Sequence, residues 1–400
     1  MVKRIYDEVH GFIELVDEFK EIVDTPLFQR LRRIKQTSLA YMVYPGATHS
    51  RFSHSLGSFS ILSRLAEKGN ITTDYSIREL RVAALIHDIG QYPFSHAVEG
   101  YYIQKNRDQG SNRFLSVFLT SYTEIQDILN NYSINTRKVR DILLGEDDLS
   151  VAIDNGVDVD RMDYLIRDSK HTGVALGNID LDRLTTTIKF QDSMCLVSEK
   201  GIHALENFYI SRLHMYQAVY YHKTILGYEL LLRRIFQDLI SECCPELSDV
   251  KGIQDMIQGG DFYTWDDEWI YWKLYETLKS EQSPSWLKRL ITQFLSRKGP
   301  KVVLDLTSYS NRENSGSSIE RLLEKRDFLE KVGIPGESIY IFQDKIRILD
   351  RNKIAIDTPS GLVELTNYPN TILNTIPSSL TISRLYVDYD YAKKARDALR

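Results

Sequence analysis

Four hundred residues with a net charge of −5 exclude a small single-core domain and argue against a general nucleic-acid binder, which shows a basic excess. The chain is 42% hydrophobic and 26% charged, with no run apolar enough to span a bilayer and no signal-peptide pattern in MVKRIYDEVHGFIEL, so a globular cytoplasmic protein is expected. Three cysteines, Cys195 and the neighbours Cys243 and Cys244, are too few and too badly placed for a disulfide framework or a zinc finger.

In chain order, residues 5–14 hold a Gly turn between short alternating segments and predict a hairpin. Thr25-Pro26 reads as helix cap and first helical residue, followed by a Phe28, Leu31, Ile34 stripe. Further helices are expected over about 52–68, ending at Gly69, and about 76–88, stopping at Gly90, with Pro93 opening the next. Helical patterns continue at about 113–130, 136–145, 160–171 and 180–188, and a long one runs from Gly201 to Cys243, closed by Pro245. A domain boundary is placed there. The Trp-rich segment 246–298 reads as helical, and KVVLDL (301–306), SIYIFQD (338–344) and KIAIDT (353–358) read as strands. The expected fold is mainly α: a helical bundle over 1–245 and a smaller accessory α+β region over 246–400.

The chemistry concentrates in one ordered constellation: His54, the pair His87-Asp88, and Asp160. Two imidazoles and two carboxylates can hold a divalent ion (Mn, Fe, Zn or, less well, Mg) and leave coordination positions open. An open-sided ion suits phosphate-ester hydrolysis, because it binds a phosphoryl oxygen and acidifies a water. Polar company surrounds each ligand: His49, Arg51 and Ser53; Ser95, His96 and Glu99. Asp160, Tyr164, Asp168 and His171 fall on one helix face, opposite the apolar Met162, Leu165 and Ile166. The bland alternative is a solvated helix face; buried and unpaired, such groups would cost roughly 1–3 kcal/mol each, which a ligand would offset.

The stretches DEVHGFIEL, IVDTPLFQRLRRIKQ, YPGATHSRFSHSLG, ALIHDIGQYPFSH, NGVDVDRMDYLIRDSKHTG and RLHMYQAVYYHK, spread over roughly residues 5–235, resemble the HD-domain phosphohydrolases, and more closely their deoxynucleoside triphosphate (dNTP) triphosphohydrolases. The resemblance implies an HD-domain helical bundle, His54, His87, Asp88 and Asp160 as metal ligands, and release of deoxynucleoside and inorganic triphosphate. It implies His96 as the catalytic histidine, and Glu99, three residues on, can orient it. Arg51, Arg161 and Arg212 match phosphate-holding positions, Arg161 standing where mammalian members have Lys. Gln36, Tyr164, Asp168 and Tyr220 match the deoxyribose pocket, and Arg212, Tyr216, Tyr220 and Lys223 share one helix face by spacing. Lys3, Asp24, Gln29 and Arg32 match a guanine-nucleotide activator site for GTP or dGTP, which implies a homo-oligomer (dimer, tetramer or hexamer).

The pattern also departs from the family. Gln91 replaces a His beside the α-phosphate, and residues 101–114 lack a His-Glu pair associated with leaving-group protonation. Tyr6, Ser198 and Ala204 replace polar or basic residues near the activator site, although Lys200 is kept. The leading expectation is a metal-dependent dNTP triphosphohydrolase serving housekeeping or antiviral defence. The alternatives are another HD nucleotide phosphohydrolase, acting on monophosphates or cyclic nucleotides, or a catalytically weak nucleotide sensor.

Overall fold

The structure, a computed structural model, describes residues 2–71, 77–106, 113–310 and 316–400. The expected hairpin forms from β1 (Lys3–Asp7) and β2 (Gly11–Leu15), paired antiparallel. Gly11 turns the chain at φ 75°, a left-handed conformation that glycine adopts without a Cβ penalty. Helix α1 (Asp17–Asp24) leads into α2 (Pro26–Arg30), whose cap is Thr25: its hydroxyl oxygen accepts from the Phe28 N–H at 3.2 Å.

Next come α3 (Arg51–Glu67), α4 (Ile77–Ile86) and α5 (His96–Asn106). Pro93 does not open α5. Phe94 and Ser95 adopt left-handed backbone (φ 51° and 48°), and the helix starts one residue later. The run expected at 113–130 is two helices, α6 (Arg113–Ser121) and α7 (Thr123–Asn131), because the buried Tyr122 takes extended backbone between them. Then follow α8 (Thr136–Leu143), α9 (Val159–Thr172) and α10 (Leu181–Thr187). Strands β3 (Ile188–Gln191) and β4 (Met194–Ser198) form a hairpin the sequence did not reveal.

The long helix expected over 201–243 is interrupted. It divides into α11 (Ile202–Met215), a π-helical turn over Tyr216–Tyr220, and α12 (Lys223–Cys243). The break removes Lys223 from the face it was expected to share with Arg212, Tyr216 and Tyr220; its ammonium lies 3.1 Å from Asp305 instead. Helices α13 (Val250–Gln258), α14 (Asp267–Lys279) and α15 (Ser285–Leu295) follow.

The C-terminal part adds β5 (Lys301–Asp305), β6 (Ser308–Ser310), α16 (Gly316–Lys331), β7 (Ile339–Arg347), β8 (Ile354–Thr358), β9 (Gly361–Glu364), β10 (Ser379–Val387) and α17 (Ala392–Leu399). β10 is the centre of an antiparallel sheet, with β7 along one side and β5 and β6 end to end along the other. β8 leaves this sheet and pairs parallel to β4, Cys195 opposite Ile354. Pro245 ends α12 but does not end the core: Ile253, Leu274, Leu290, Ile356 and Leu373 share one hydrophobic cluster with Leu27, Leu62 and Leu165. The fold is mainly α with a smaller sheet-containing C-terminal region. Among the described residues no helix is long and apolar enough to cross a membrane.

Candidate metal centre

Three elements converge on one point. His54 sits on the first turn of α3, His87 and Asp88 follow the end of α4, and Asp160 sits on the first turn of α9. α9 starts where it does because Asp158 caps it, accepting from the Arg161 N–H at 2.8 Å, and it ends at Gly173 in left-handed backbone. The His54 and His87 Nε2 atoms are 3.2 Å apart, and Asp160 Oδ1 lies 2.9 Å from the first and 3.8 Å from the second. Ligand atoms of these three residues all fall within 4.8 Å of one another.

The partners of the other ring nitrogens support a cation. His54 Nδ1 is 2.8 Å from an Asp163 oxygen, and His87 Nδ1 is 2.8 Å from the Ala84 carbonyl. Protons on Nδ1 satisfy both acceptors and turn two Nε2 lone pairs toward each other, an arrangement that needs a positive charge between them. Two imidazole nitrogens and a carboxylate oxygen suit a divalent first-row ion. Asp88 stands beside them, its Oδ2 3.8 Å from His54 Nε2 and its Oδ1 3.9 Å from His87 Nε2. Its carboxylate also accepts from Arg51 Nη1 at 2.6 Å.

The electrostatics match this geometry. Burial opposes protonation of His54, yet hydrogen bonds to Asp160 and Asp163 prevail and push its pKa up to about 10. His87 is raised in the same way, burial being outweighed by Asp88 and Asp160. Burial opposes ionisation of Asp160, but hydrogen bonds from the two histidines hold it well below the usual carboxylate range. Burial opposes ionisation of Asp88 as well, but the Arg51 guanidinium beside it lowers its pKa. The cluster thus carries exchangeable protons where an ion would sit.

The α9 face extends the site. Asp160, Tyr164, Asp168 and His171 line it: Tyr164 lies edge-on to Tyr220 (5.8 Å between rings), and Asp168 accepts from the Tyr220 hydroxyl at 2.8 Å and lies 2.7 Å from His49 Nε2. His171 stacks on His49 at 4.3 Å. The Gln36 N–H donates to the His49 carbonyl at 3.0 Å, while Gln36 Oε1, His49 Nδ1 and Gln91 Oε1 are buried without a partner. Unpaired buried polar atoms beside such a centre are what a polar ligand would satisfy.

His96 Nδ1 is 2.9 Å from Glu99 Oε2, with the imidazole exposed. Desolvation opposes its protonation, but Glu99 prevails and its pKa is raised. The left-handed turn before it is braced from segments distant in sequence. The buried Asp267 carboxylate accepts from the Phe94 N–H at 2.6 Å, and the Ser38 hydroxyl donates to the Phe94 carbonyl at 2.9 Å. Arg30, wholly buried, donates to the Gln91 and Trp265 carbonyls, both at 2.6 Å.

Two expected phosphate ligands are engaged elsewhere. Arg161 pairs with Asp158 and, at 3.1 Å, with Asp154. Arg212 donates to the backbone carbonyls of Ile348 (2.7 Å) and Arg347 (3.2 Å). Arg51 stays at the metal side, donating also to the Ser95 hydroxyl at 2.9 Å. The four residues expected to bind an activator form two pairs: Lys3 pairs with Asp24, and Arg32 donates to Gln29 Oε1 at 2.8 Å while covering the Phe52 ring, Gln29 itself donating to the Val23 carbonyl at 2.7 Å. Of the 101–114 stretch that lacks a His-Glu pair, residues 107–112 lie outside the described residues.

Sequence reasoning missed Asp163 and Arg167, which are buried side by side behind His54. Their spacing of four on a helix reads as an ordinary surface ion pair, and only the close approach of α3 to α9 buries it. Gly57 permits that approach: a Cβ there would lie 1.8 Å from Asp163 Oδ1 and 2.6 Å from Arg167 Nη2. Gly57→Ala is expected to destabilise the metal-free protein by about 1–3 kcal/mol or more through overpacking. A urea-denaturation midpoint unchanged from wild type would show that the contact is not close.

Comparison with known proteins agrees with this architecture. Residues 51–168 match the HD domain family, and residues 179–368 match the HD associated region. An uncharacterized protein of Methanocaldococcus jannaschii is 38% identical over 261 residues, 64% of this chain and 54% of that protein. The deoxynucleoside triphosphate triphosphohydrolase SAMHD1 of Gallus gallus is 29% identical over 336 residues, 71% of this chain and 53% of that protein. The chain thus spans about half the length of these two relatives. Among solved structures, a hypothetical protein of Aquifex aeolicus superposes over 100% of both chains (TM-score 0.80, 28% identity). A phosphohydrolase of Bacteroides thetaiotaomicron covers 97% of this chain and 100% of its own (TM-score 0.75, 26% identity). With its histidine–aspartate centre inside the matched segment and the associated region continuing beyond it, this chain belongs to the HD-domain phosphohydrolase family.

Proposed function

We propose that the protein is a metal-dependent dNTP triphosphohydrolase that releases a deoxynucleoside and inorganic triphosphate. The observation that carries the reading is a metal-type triad continuous, along one face of α9, with a buried polar cluster in which Gln36 Oε1 and His49 Nδ1 lack partners. The Gallus gallus dNTP triphosphohydrolase SAMHD1, and its Dictyostelium discoideum homolog, 31% identical to this chain over 272 residues, support the substrate class.

A bound divalent ion would supply Lewis acidity to a phosphoryl oxygen and acidify a water. The protein does the rest. Arg51 is placed to neutralise charge on the α-phosphate beside the ion. Arg161 and Arg212 would exchange their present acceptors for phosphate oxygens. Water attack on the α-phosphorus would break its bond to the 5′ oxygen, the water losing a proton to solvent, and His96, held protonated by Glu99, would give the 5′ oxygen its proton. Asp168 and Gln36 would grip the 3′-hydroxyl, with Tyr164 and Tyr220 occupying the space a 2′-hydroxyl needs. Lys3, Asp24, Gln29 and Arg32 would take a guanine nucleotide, GTP or dGTP, as activator at a contact between copies of the chain. The setting is the cytoplasm, where free dNTPs and thiols coexist.

The test is incubation of the metal-loaded protein with each dNTP and Mn²⁺ or Mg²⁺, with and without GTP or dGTP. Triphosphate and deoxynucleoside are the expected products. Orthophosphate as the sole phosphate product would point to a monophosphatase, and no product at all would end the reading. Tyr164→Ala is expected to weaken the preference for dNTP over the matching ribonucleotide by about tenfold or more, read as the ratio of kcat/KM values.

A further inference from the structure

The N-terminal hairpin reaches the metal centre through a single carboxylate. We propose that His10, in the turn of that hairpin, is a positioning residue of the centre: it holds Asp163, and Asp163 fixes the ring of His54. The proposal rests on the metal reading of His54, His87 and Asp160, and is independent of the substrate.

The relay is short and dry. The His10 and Asp163 side chains are fully buried and that of His54 is 1% exposed. His10 Nε2 is 2.6 Å from Asp163 Oδ1, and Asp163 Oδ2 is 2.8 Å from His54 Nδ1. Arg167 closes the remaining positions, donating through Nε to Oδ2 at 2.8 Å and through Nη2 to Oδ1 at 2.9 Å. Each carboxylate oxygen thus has two donors, one on the His54 side or the His10 side and one from Arg167. That arrangement leaves the carboxylate no freedom to rotate.

The tautomer of His10 follows from its other neighbour. Arg64 Nη2 is 3.2 Å from His10 Nδ1. A guanidinium can only donate, so Nδ1 accepts and the ring proton lies on Nε2, pointed at Asp163. The turn is tied to the same assembly. Asp7 Oδ1 accepts from the Val9 and His10 N–H groups, both at 2.9 Å, and the Asp7 carboxylate also accepts from Arg167. The partners are 153 residues apart for His10 and Asp163, and 109 for His54 and Asp163. The clearance at Gly57 is what lets Asp163 lie against α3 between them.

A metal-ligating imidazole depends on the acceptor behind it for orientation and basicity, and loss of that acceptor costs about 10–100-fold in metal affinity. Without His10, Asp163 Oδ1 keeps one donor, and the carboxylate's orientation is set from the Arg167 side alone. The His54 ring then loses its fixed acceptor.

The experiment uses the full chain stripped of metal and titrated with Mn²⁺, free ion being followed by electron paramagnetic resonance. His10→Ala, which loosens that acceptor without removing it, is expected to bind Mn²⁺ up to about tenfold more weakly than wild type, the low end of that range. His10→Gln, whose amide can still donate to Asp163, is expected to recover most of the affinity. A purely structural His10 would instead lower the thermal midpoint of the metal-free protein in both variants and leave Mn²⁺ affinity unchanged, which overturns the proposal. If His10→Ala does not fold, Arg64→Ala decides: weakened Mn²⁺ binding supports the relay, and wild-type binding overturns it. A wild-type protein that binds no Mn²⁺ removes the metal reading and the proposal with it. Wild-type binding matched by every variant removes the proposal alone.

Discussion

His54→Ala is expected to abolish stable divalent-metal binding and to lower dNTP hydrolysis by at least about 10³-fold, the equivalent of several kcal/mol of lost metal assistance. The residue is both ligand and hub: its Nε2 faces His87 and Asp160, and its Nδ1 meets Asp163. Asp160→Asn should act similarly, because an amide oxygen is a weaker ligand and the neighbouring charge balance changes. Metal content of the purified variants and product release under identical conditions are the two readouts. A His54→Ala protein that retains metal and turnover would remove this centre from the chemistry.

The wild-type centre has a corresponding pH signature. With the folded pKa of His54 pushed up to about 10, the ion must displace a proton at neutral pH. The sign follows directly: lowering pH favours the proton, so apparent metal affinity should rise with pH and level off as pH passes about 10. Displacement of one proton gives about a tenfold gain per pH unit below that point, and a second proton on His87 would steepen it. In the metal-free protein, the stability contributed by protonated His54 is present below its unfolded pKa and is lost as pH rises through about 10. Metal titrations at several pH values check the first statement, and denaturant midpoints of the metal-free protein check the second. A pH-independent affinity would contradict the proton-filled centre.

His96→Ala is the second large effect, with an expected loss of about 10²–10⁴-fold in kcat, metal affinity staying at the wild-type level. The side chain is directed to Glu99 and exposed, so its removal leaves the core intact. Its pKa is raised because Glu99 favours the imidazolium over the opposing desolvation. If the imidazolium is the proton donor, activity falls as pH rises through that raised pKa. Glu99→Gln removes the stabilising charge, so the alkaline limb of the kcat profile should move to lower pH. An unmoved limb would assign the proton to another group, an unchanged kcat in His96→Ala would remove His96 from the chemistry, and tight dNTP binding with no turnover, unaltered by His96→Ala, would favour the nucleotide-sensor reading.

The family resemblance was carried by short, polar, locally dense strings: THSRFSH, IHDIGQYPFSH, VDVDRMDYLIRDSKH. They are legible because the functional residues sit beside helix signals that also stand in the sequence. Asp158 caps α9, Gly173 ends it, and the 3.6-residue period puts Asp160, Tyr164 and Asp168 on one face. The three strands written as apolar runs also form at about their expected places. β10 shows alternation only over its first five residues, SLTIS, before Arg384 interrupts it, and burial of all nine residues comes from the sheet and helices packed around it. The break in the 201–243 helix was equally hidden, since the apolar pattern continues through the π turn.

Other features depend on which segments meet. Local pattern determined the starts of α2 and α9, the N-terminal hairpin and the polar face of α9, because each is written within a few residues of chain. Only the tertiary structure decided that Asp163 and Arg167 form a buried shell behind His54, that Asp267 braces the turn before His96, and that Arg212 reaches the carbonyls of Arg347 and Ile348. It also decided that residues beyond 245 share the main core. The physical reason is the range of the interactions. Caps and periodicity act within one or two helical turns. Burial of a charged pair, or the bracing of a strained turn, arises when the hydrophobic core brings together segments more than a hundred residues apart.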